Sequence, residues 1–429
     1  MKKLICIILA LTMIISLLAA CGPGGDDGGV SGHAQGVTDT TILVGNTAPV
    51  SGAMAMVGLP MIRGLEAYFR ITNEAGGVHG RTIEFVHHDD GFDPVAGIAF
   101  TEALIHDDQV FALAMHFGTP TIGATLDMLK EIGIPVVHLA SGIGRLYMED
   151  AFTTQTGQGI FPVQPIFVPE GGVLVARAVE EYNARHIGII FSGDEAGTDL
   201  RRGAIAMIEQ LGPEFSFVDS QVAPGATDVS SAVLTMLAND VDVIIAANLQ
   251  DTFATVINGI VAAGLDVPVF TTYINASPVM VEGFAEDYLG AGATFGVYTT
   301  GWIDIFNHDA PDDDPFLGLN DDYWVFANAV GEELSDNAFA MAGWIAGSVF
   351  VQGLRAMDPN EYVTWENFIR TMENTTFDLP MAGLLTFTDG MRTGTTAMNL
   401  SVARPEVPDW YMIRPIEQLQ DVIDRALAR

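Results

Sequence analysis

The sequence predicts an α/β fold built from parallel sheets with helices on both faces. Short runs rich in β-branched and aromatic residues alternate with longer runs whose apolar residues recur at helical spacing. The alternation occurs in two successive series of similar design, and an order of strand, helix and strand is typical of parallel strands joined by crossover helices. The 429 residues are enough for two domains of ordinary size.

The first series begins with a predicted strand at 41–45. A helix is predicted at 59–75, because Pro60 suits a first turn, apolar residues follow at helical spacing, and Gly76 and Gly77 end the run. The series continues with predicted strands at 83–87, 111–115 and 134–139, and predicted helices at 94–106 and 122–132.

The second series follows a loop at 153–169 and repeats the same alternation. Its predicted helices are 172–183, 198–211, 229–239 and 252–263, and its predicted strands are 187–191, 215–222, 241–247 and 267–271. The last part of the chain is predicted to hold an acidic exposed loop at 307–322, helices at 337–357, 365–372 and 416–428, and strands at 384–387 and 398–402.

The N-terminal segment has the layout of an export signal. Lys2 and Lys3 precede an apolar run at 4–18, and two alanines stand directly before Cys21. The residues at 18–21 resemble a bacterial lipobox, which implies a lipoprotein signal peptide at 1–20 and a lipid anchor on Cys21. A Gly-rich linker is predicted at 21–38. The only other cysteine, Cys6, lies inside the signal, so no disulfide is expected.

The net charge of −36 limits the classes of partner. A strongly acidic surface repels nucleic acid and anionic lipid headgroups, so neither is expected to bind the folded part of the chain. Lys130 is the only lysine after the signal.

Six phrases of the sequence carry a family resemblance through their order and spacing. The most specific is NEAGGVHGR at 73–81. The others are ILVG at 42–45 with APVSG at 48–52, DD at 89–90 with DP at 93–94, EIGIPV at 131–136, VQP at 163–165 with EG at 170–171, and AAGL at 262–265. Together they resemble the branched-chain amino-acid-binding family of ABC-transporter receptors, which has the type I periplasmic-binding-protein fold. The match runs from about residue 41 to residue 402.

The resemblance implies two Rossmann-like lobes joined by three crossovers near Phe152, Tyr298 and Phe387. The first lobe would comprise 39–152 and 299–386, and the second 153–298 and 387–429. A solute would lie in the cleft, and the lobes would close on it by a hinge motion. The resemblance also implies an ABC permease and ATPase subunits as partners, and no cofactor.

Two loops that lead from a strand into a helix are the predicted ligand carboxylate site. The loops are GTPT at 118–121 and ASG at 140–142. A helix N-terminus offers unsatisfied N–H donors and a partial positive charge. The resemblance implies that backbone groups and hydroxyls of these loops hold the carboxylate, at Gly118, Thr119, Ala140, Ser141 and Gly142. The alternative is that Thr119 and Ser141 only cap their helices.

Four further positions of the implied site depart from the family pattern. Val57, Ala196 and Leu249 stand where the family has tyrosines, and Tyr273 stands where it has the glutamate that pairs with the ligand ammonium. A buried ammonium without an acidic partner is costly. An apolar or aromatic carboxylate, or an amide, is therefore an alternative to an amino acid. The other acids that would serve an ammonium are Glu170, Asp194, Glu195 and Asp251.

Histidines near the strand ends are candidates for metal or ligand contacts. His87 and His88 are adjacent in a strand and point to opposite faces, so no metal site is predicted there. His116 and His138 end neighbouring strands, where they would contact the ligand or be satisfied by backbone partners. The sequence has no GxSxG, Walker or HExxH pattern, and no enzyme is predicted.

The sequence thus predicts an extracytoplasmic, membrane-anchored lipoprotein that captures a small carboxylate-bearing solute, of the amino-acid class, for an ABC importer. One alternative is a lipoprotein that senses a solute for signalling with the same cleft. Another is a receptor for an amide or an aromatic acid.

Overall fold

The computed structural model describes residues 32–52, 54–147, 159–303 and 321–429, except for the side chain of Asp251. The signal peptide, the proposed anchor Cys21 and the crossover residue Phe152 lie outside these ranges, as does most of the predicted acidic loop. Asp321 and Asp322, at the end of that loop, begin a helix instead. No helix in the described ranges has the length and apolar character needed to cross a membrane.

The first sheet contains five parallel strands in the order β2-β1-β3-β4-β5. Helices α1 and α10 pack against each other on this sheet, and α2 packs against α3. These elements are β1 (Thr41–Thr47), α1 (Ala55–Glu74), β2 (Thr82–His88), α2 (Pro94–His106), β3 (Ala112–Phe117), α3 (Thr119–Ile132), β4 (Val136–Ala140), β5 (Ile160–Phe161) and α10 (Ala338–Ala356).

The second sheet has seven strands in the order β14-β13-β10-β9-β8-β6-β7. Its elements, with the helices between them, are α4 (Phe167–Tyr182), β6 (His186–Ser192), α5 (Glu195–Leu211), β7 (Ser216–Val222), α6 (Ser230–Ala238), β8 (Val243–Ala247), α7 (Gln250–Ala263), β9 (Val269–Thr271), α8 (Pro278–Gly290), β10 (Val297–Gly301), β13 (Ala397–Arg404) and β14 (Asp409–Gln418). The remaining elements are α9 (Asp321–Val330), α11 (Trp365–Glu373), the strand pair β11 (Thr376–Asp378) and β12 (Leu384–Thr386), and α12 (Leu419–Leu427).

The α/β fold class is confirmed, but the second sheet is mixed rather than parallel. Strand β13 pairs antiparallel with β10, and β14 pairs antiparallel with β13. Residues 405–408 join β13 to β14, and so short a connection permits a hairpin but no crossover. Strand β14 was not predicted from the sequence, and the last helix, predicted to begin at 416, begins at Leu419.

The predicted crossover near residue 152 precedes the end of the first sheet. Strand β5 pairs with β4, so the five-stranded sheet continues to Phe161, inside the segment assigned to the second lobe. Strand β10 in turn belongs to the second sheet and extends to Gly301. The lobe boundaries as a whole stay predictions.

Glycines allow two pairs of helices to approach each other closely. A Cβ atom at Gly64 of α1 would lie 1.9 Å from the carbonyl oxygen of Ala340, and one at Gly343 of α10 would lie 1.8 Å from that of Met61. Helices α4 and α5 meet in the same way, since a Cβ atom at Gly203 would lie 1.8 Å from a backbone oxygen of α4. Larger residues at these contacts would push the helices apart.

Candidate functional site

A cavity of about 760 Å³ lies at the carboxyl ends of strands from both sheets. Open α/β sheets bind ligands at this edge. Six helices among the described elements contribute residues of their first turns or N-caps to this cavity: α1, α3, α4, α5, α7 and α10. We call it the main cavity. Its lining residues are Met54, Val57, Met61, Phe92, Phe117, Thr119, Pro120, Gly123, Ala140, Ser141, Gly142, Ile143, Arg145, Gln164, Phe167, Asp194, Glu195, Ala196, Leu249, Gln250, Ile274 and Phe339.

Most of the residues predicted from the sequence line this cavity together. Gly118 is next to it as the N-cap residue of α3, with a φ of 115° and a carbonyl oxygen that accepts from the amide of Ile122 at 2.7 Å. Seven predicted residues are on the wall: Val57, Thr119, Ala140, Ser141, Gly142, Ala196 and Leu249.

The two predicted loops meet because β3 and β4 are neighbouring parallel strands. Phe117 and Ala140 are paired residues at the strand ends, so the chain leaves both strands side by side. The hydroxyls of Thr119 and Ser141 are 3.3 Å apart. The phenol of Tyr147 donates to the carbonyl of Ser141 at 2.8 Å and holds the second loop in place.

The alternative role of Thr119 as a helix cap is wrong. The N-cap residue of α3 is Gly118, and within the described ranges the start of this helix has no side-chain cap hydrogen bond. The uncapped N-terminus of α3 therefore faces the main cavity with its positive end. The hydroxyl of Thr119, the first residue of α3, lies 3.3 Å from the hydroxyl of Ser141.

The aromatic part of the wall was not predicted from the sequence. Phe92 and Phe117 come from the first sheet and its loops, Phe167 from the start of α4, and Phe339 from α10, far from Thr119 along the chain. Only Phe117 carried a usable signal, because it directly precedes a predicted loop. The others reach the cavity through tertiary packing that spacing along the chain does not reveal.

Among the described side chains, three charged ones line the main cavity, and each has a partner. Arg145 donates from Nε to Glu195 Oε1 at 2.5 Å and from Nη2 to Oε2 at 3.2 Å. Asp194 caps α5 by accepting from the amide of Gly197 at 2.8 Å. The two described acids on the wall are thus already engaged.

Tyr273 does not line the main cavity, contrary to the prediction. Its phenol donates to the carbonyl of Pro165 at 3.0 Å and accepts from the side-chain Nε2 of Gln164 at 2.8 Å. Its ring packs against Phe167, with 6.0 Å between the ring centroids. These contacts hold the side chain behind the wall, where it borders a smaller adjoining cavity of about 70 Å³.

Glu170 is fully buried beside Tyr273 and is not on the wall of the main cavity. Its carboxylate accepts from the hydroxyl of Thr272 at 2.8 Å, the amide of Tyr273 at 2.8 Å and the hydroxyl of Thr300 at 2.6 Å. Burial raises the pKa of Glu170 to about 7, against the effect of these three donors. The residue joins α4 to the segments around β9 and β10.

The two buried histidines do not reach the cavity. His116 bonds to the backbone and hydroxyl of Thr47 and to the hydroxyl of Thr101, and burial lowers its pKa to about 4. Burial lowers the pKa of His138 to about 3. In the described ranges, no group of three or more His, Cys, Asp and Glu residues is arranged to hold a metal ion.

Comparisons with known proteins match most of the chain to one family. The family described as periplasmic binding protein matches residues 41–406. An amino acid binding protein of Pseudomonas aeruginosa is 24% identical over 217 residues, which are 50% of this chain and 55% of that protein. The chain spans between about a quarter and about half of the length of the curated relatives it matches.

Solved structures with low sequence identity share the fold. A fatty acid ABC transporter substrate-binding protein from Thermomonospora curvata has a TM-score of 0.70 at 18% identity, over 91% of this chain and 96% of that one. A branched chain amino acid ABC transporter from Thermus thermophilus with bound valine has a TM-score of 0.68 at 15% identity, over 91% and 99%. Together with the family match, these structures confirm the resemblance found in the sequence.

Proposed function

The chain belongs to the periplasmic binding protein family, and from this premise we propose that it is the solute-binding component of an ABC importer whose main cavity holds an apolar carboxylate. The family and the structural neighbours are substrate-binding proteins and not enzymes. Family membership implies a location outside the cytoplasm. What we propose beyond family membership is the class of ligand and the identity of the partners.

The pair of hydroxyls at the uncapped helix N-terminus carries the carboxylate part of the proposal. Thr119 and Ser141 lie 3.3 Å apart at the start of α3, and both line the main cavity. Each hydroxyl can turn to donate to a carboxylate oxygen, and hydrogen bonds to a charged acceptor are the stronger ones. The helix N-terminus adds favourable electrostatics for an anion.

The apolar wall supports a ligand body of hydrocarbon or aromatic character. Phenylalanine, methionine, isoleucine, leucine and valine side chains make up much of the lining. The volume of about 760 Å³ lies within the range of about 300–1,000 Å³ that is usual for small-molecule sites. An ammonium group in this surrounding would need an acidic partner. Asp194 and Glu195 are already engaged with Gly197 and Arg145.

The neighbours' names support both ligand classes within one fold. The Thermomonospora curvata protein is named for fatty acids, and the Thermus thermophilus structure contains valine. The described wall of this chain favours the carboxylate without an ammonium. The amino-acid class remains the alternative, and the two are separable by experiment.

Matched pairs of ligands test the proposal directly. Leucine and 4-methylpentanoate differ only in the α-ammonium, phenylalanine and 3-phenylpropanoate differ in the same way, and 4-methylpentanamide replaces the carboxylate by an amide. A ligand that binds only the folded state raises the unfolding free energy by RT ln(1 + [L]/Kd). We expect the acids, together with octanoate as a longer acid, to raise the Tm of the purified protein more than the matched amino acids and the amide.

Two outcomes of the ligand comparison would contradict the proposal. Tighter binding of leucine than of 4-methylpentanoate would restore an ammonium site and the amino-acid class. Equal binding of the amide and the acid would remove the carboxylate site. In the same assay, Thr119→Val should weaken binding of the acids. Its control is Thr235→Val, on α6 outside the cavity.

The transport role and the lipid anchor need a test in cells. We propose that an ABC permease and its ATPase subunits receive the solute and that Cys21 carries the lipid. Deletion of the gene should abolish uptake of the ligand found in vitro, and a Cys21→Ala variant should leave the membrane fraction. Unchanged uptake with a lost transcriptional response would favour the sensing alternative.

A further inference from the structure

Gln164 lies on a wall that the main cavity shares with the smaller adjoining cavity next to Tyr273. It belongs to the segment that leads from β5 into α4, and the residue is only 4% exposed. A polar side chain that is buried to this degree is expected to have its hydrogen bonds made. The carboxylate proposal gives Gln164 no role.

The phenol of Tyr273 fixes the orientation of the Gln164 amide. A phenol has a single hydrogen to donate, and that of Tyr273 goes to the carbonyl of Pro165 at 3.0 Å. The Tyr273 oxygen must therefore accept from Gln164, so the amide atom 2.8 Å away from it is the donor Nε2. The acceptor Oε1 consequently points away from Tyr273.

The Oε1 atom of Gln164 is an acceptor that a ligand can reach. It accepts no hydrogen bond from the described residues, yet it keeps accessible surface. The ring nitrogens of His138 are different, because they lack partners and are also fully enclosed. Since Gln164 lines both cavities, a donor group within them can satisfy Oε1.

This acceptor lies next to the proposed carboxylate site. Gly142 follows Ser141 in the second loop, and a Cβ atom at Gly142 would lie 2.9 Å from the phenol oxygen of Tyr273 and 2.8 Å from the ring of Phe167. The same phenol oxygen is 2.8 Å from Gln164 Nε2. The loop, the phenol and the amide thus follow one another in direct contact. A ligand group that donates to Gln164 must therefore be close to the ligand carboxylate.

The neutral charge of the acceptor favours a hydroxyl over an ammonium as the donor. An ammonium has three N–H donors and a positive charge, and its burial requires an acidic partner. Gln164 has no charge, and the carboxylate of Glu170, which bonds to the backbone of Tyr273, already has three donors. A hydroxyl has one hydrogen to donate and no charge, so the amide oxygen of Gln164 satisfies it.

We infer that the ligand of the main cavity is a 2-hydroxy carboxylate with an apolar side chain, and that Gln164 Oε1 accepts the hydrogen bond of its hydroxyl. The inference rests on the proposed function, since Thr119 and Ser141 hold the carboxylate in both. The hydroxyl on the carbon next to the carboxylate faces Gln164, and the hydrocarbon part packs against the apolar wall. Because these three contacts have fixed places around one carbon atom, the two enantiomers of the ligand differ in affinity.

Titration calorimetry of the purified protein with 4-methylpentanoate, leucine and both enantiomers of 2-hydroxy-4-methylpentanoate tests the inference. These compounds differ only at the second carbon, which carries hydrogen, an ammonium or a hydroxyl. We expect one enantiomer of the hydroxy acid to bind about threefold to tenfold more tightly than 4-methylpentanoate, because it supplies a donor to an acceptor that otherwise has none. Gln164→Met, which keeps an unbranched side chain and removes the amide, should abolish this advantage. Gln352→Met is the matched control, at a half-buried, hydrogen-bonded glutamine of α10 outside the main cavity, and should preserve it.

The outcomes separate this inference from the proposed function. If 4-methylpentanoate binds and neither enantiomer of the hydroxy acid binds more tightly, the inference is wrong while the carboxylate site stands. An advantage that persists in Gln164→Met, or that is equal for both enantiomers, leads to the same conclusion. If no acid binds, or if leucine binds more tightly than every acid, the proposed function fails and the inference fails with it. If Gln164→Met does not fold, the two enantiomers decide, because their comparison uses the unaltered protein.

Discussion

Arg145 and Glu195 form an ion pair between the two sides of the main cavity. Arg145 lies in the 3₁₀ turn Gly144–Leu146 that follows β4 of the first sheet, and Glu195 begins α5, which follows β6 of the second sheet. The adjacent amide of Gly144 donates to Asp199 Oδ2 of α5 at 2.9 Å. These two contacts join the walls of the cavity to each other, so a hinge motion that opens the cavity must break them.

Arg145→Met should weaken ligand binding while leaving the fold intact. The side chains of Arg145 and Glu195 are about half exposed, and an exposed pair contributes about 0.2–1 kcal/mol. We therefore expect the Kd to rise by about 1.4-fold to fivefold, chiefly through faster release. Titration at low and high salt checks this, because screening should remove the difference. The control is Arg63→Met, whose ion pair with Glu66 lies within α1. An unchanged Kd at low salt would show that the pair does not stabilise the closed form.

Thr119→Val and Ser141→Ala should each reduce the affinity for an apolar carboxylate. Each variant removes one hydroxyl from the pair at the start of α3. Hydrogen bonds to a charged group contribute about 1.5–3 kcal/mol, so we expect losses of about tenfold to 150-fold in Kd, with the double variant less than additive. Titration calorimetry with 4-methylpentanoate measures the change, and Thr235→Val is the control. Equal affinities in the wild type, the two single variants and the double variant would place the carboxylate elsewhere.

Much of the fold could be predicted because local signals agreed with the tertiary structure. The helix predicted at 94–106 matches α2 at both ends. Asp93 caps its first turn. Strand β14 was missed because it lies on the edge of the sheet and contains Pro415, which breaks the strand pattern. Helix α8 was missed too, since its small residues blur the helical spacing.

The candidate site could be predicted where the chain itself turns toward the cavity. Thr119 and Ser141 come shortly after the ends of two neighbouring strands, and both line the main cavity. Their contact with a ligand, which the family resemblance implies, stays a prediction. Tyr273 lies behind the wall because its side chain turns inward to Gln164 and Pro165, and its contact with a ligand stays a prediction. Phe339 was unpredictable from spacing, since only the packing of α10 against α1 brings it to the cavity.

Glu170 should make the stability of the protein depend on pH. Burial raises its pKa in the folded state from 4.5 to about 7, so the folded protein binds more protons than the unfolded chain between these values. Its contribution to the unfolding free energy is therefore greatest below about pH 4.5, falls as the pH rises, and levels off above about pH 7. Glu170→Gln should flatten this part of the pH profile. The change in unfolding free energy that the Glu170 pKa shift can cause has an upper limit on the order of 3 kcal/mol.

Guanidinium unfolding of the Glu170→Gln variant at pH 5 and pH 8 measures the effect. The control is Glu286→Gln, at an exposed glutamate of α8, which changes the net charge by the same amount. If the unfolding free energy falls between pH 5 and pH 8 by the same amount in Glu170→Gln as in Glu286→Gln, Glu170 is not the group responsible.

Gly118→Ala should disturb the carboxylate site more than Gly133→Ala, although both glycines have a positive φ and border the same helix. Gly118 has a φ of 115°, and a Cβ atom there would lie 2.8 Å from Thr121 Oγ1 and 3.3 Å from the ring of Phe92. Gly133, at the other end of α3, has a φ of 76°, and a Cβ atom there would meet nothing within 4 Å. Gly133→Ala should thus cost only the backbone strain, about 1 kcal/mol.

The additional crowding at Gly118 must move Thr121 or Phe92, and either shift displaces the start of α3 from the cavity. We expect Gly118→Ala to lower the unfolding free energy by about 1–3 kcal/mol and to weaken 4-methylpentanoate binding, whereas Gly133→Ala keeps its affinity. Denaturant unfolding and titration of both variants separate the two effects. A loss of stability without a loss of affinity in Gly118→Ala would mean that the N-terminus of α3 does not contact the ligand, because the strain would then be confined to the fold.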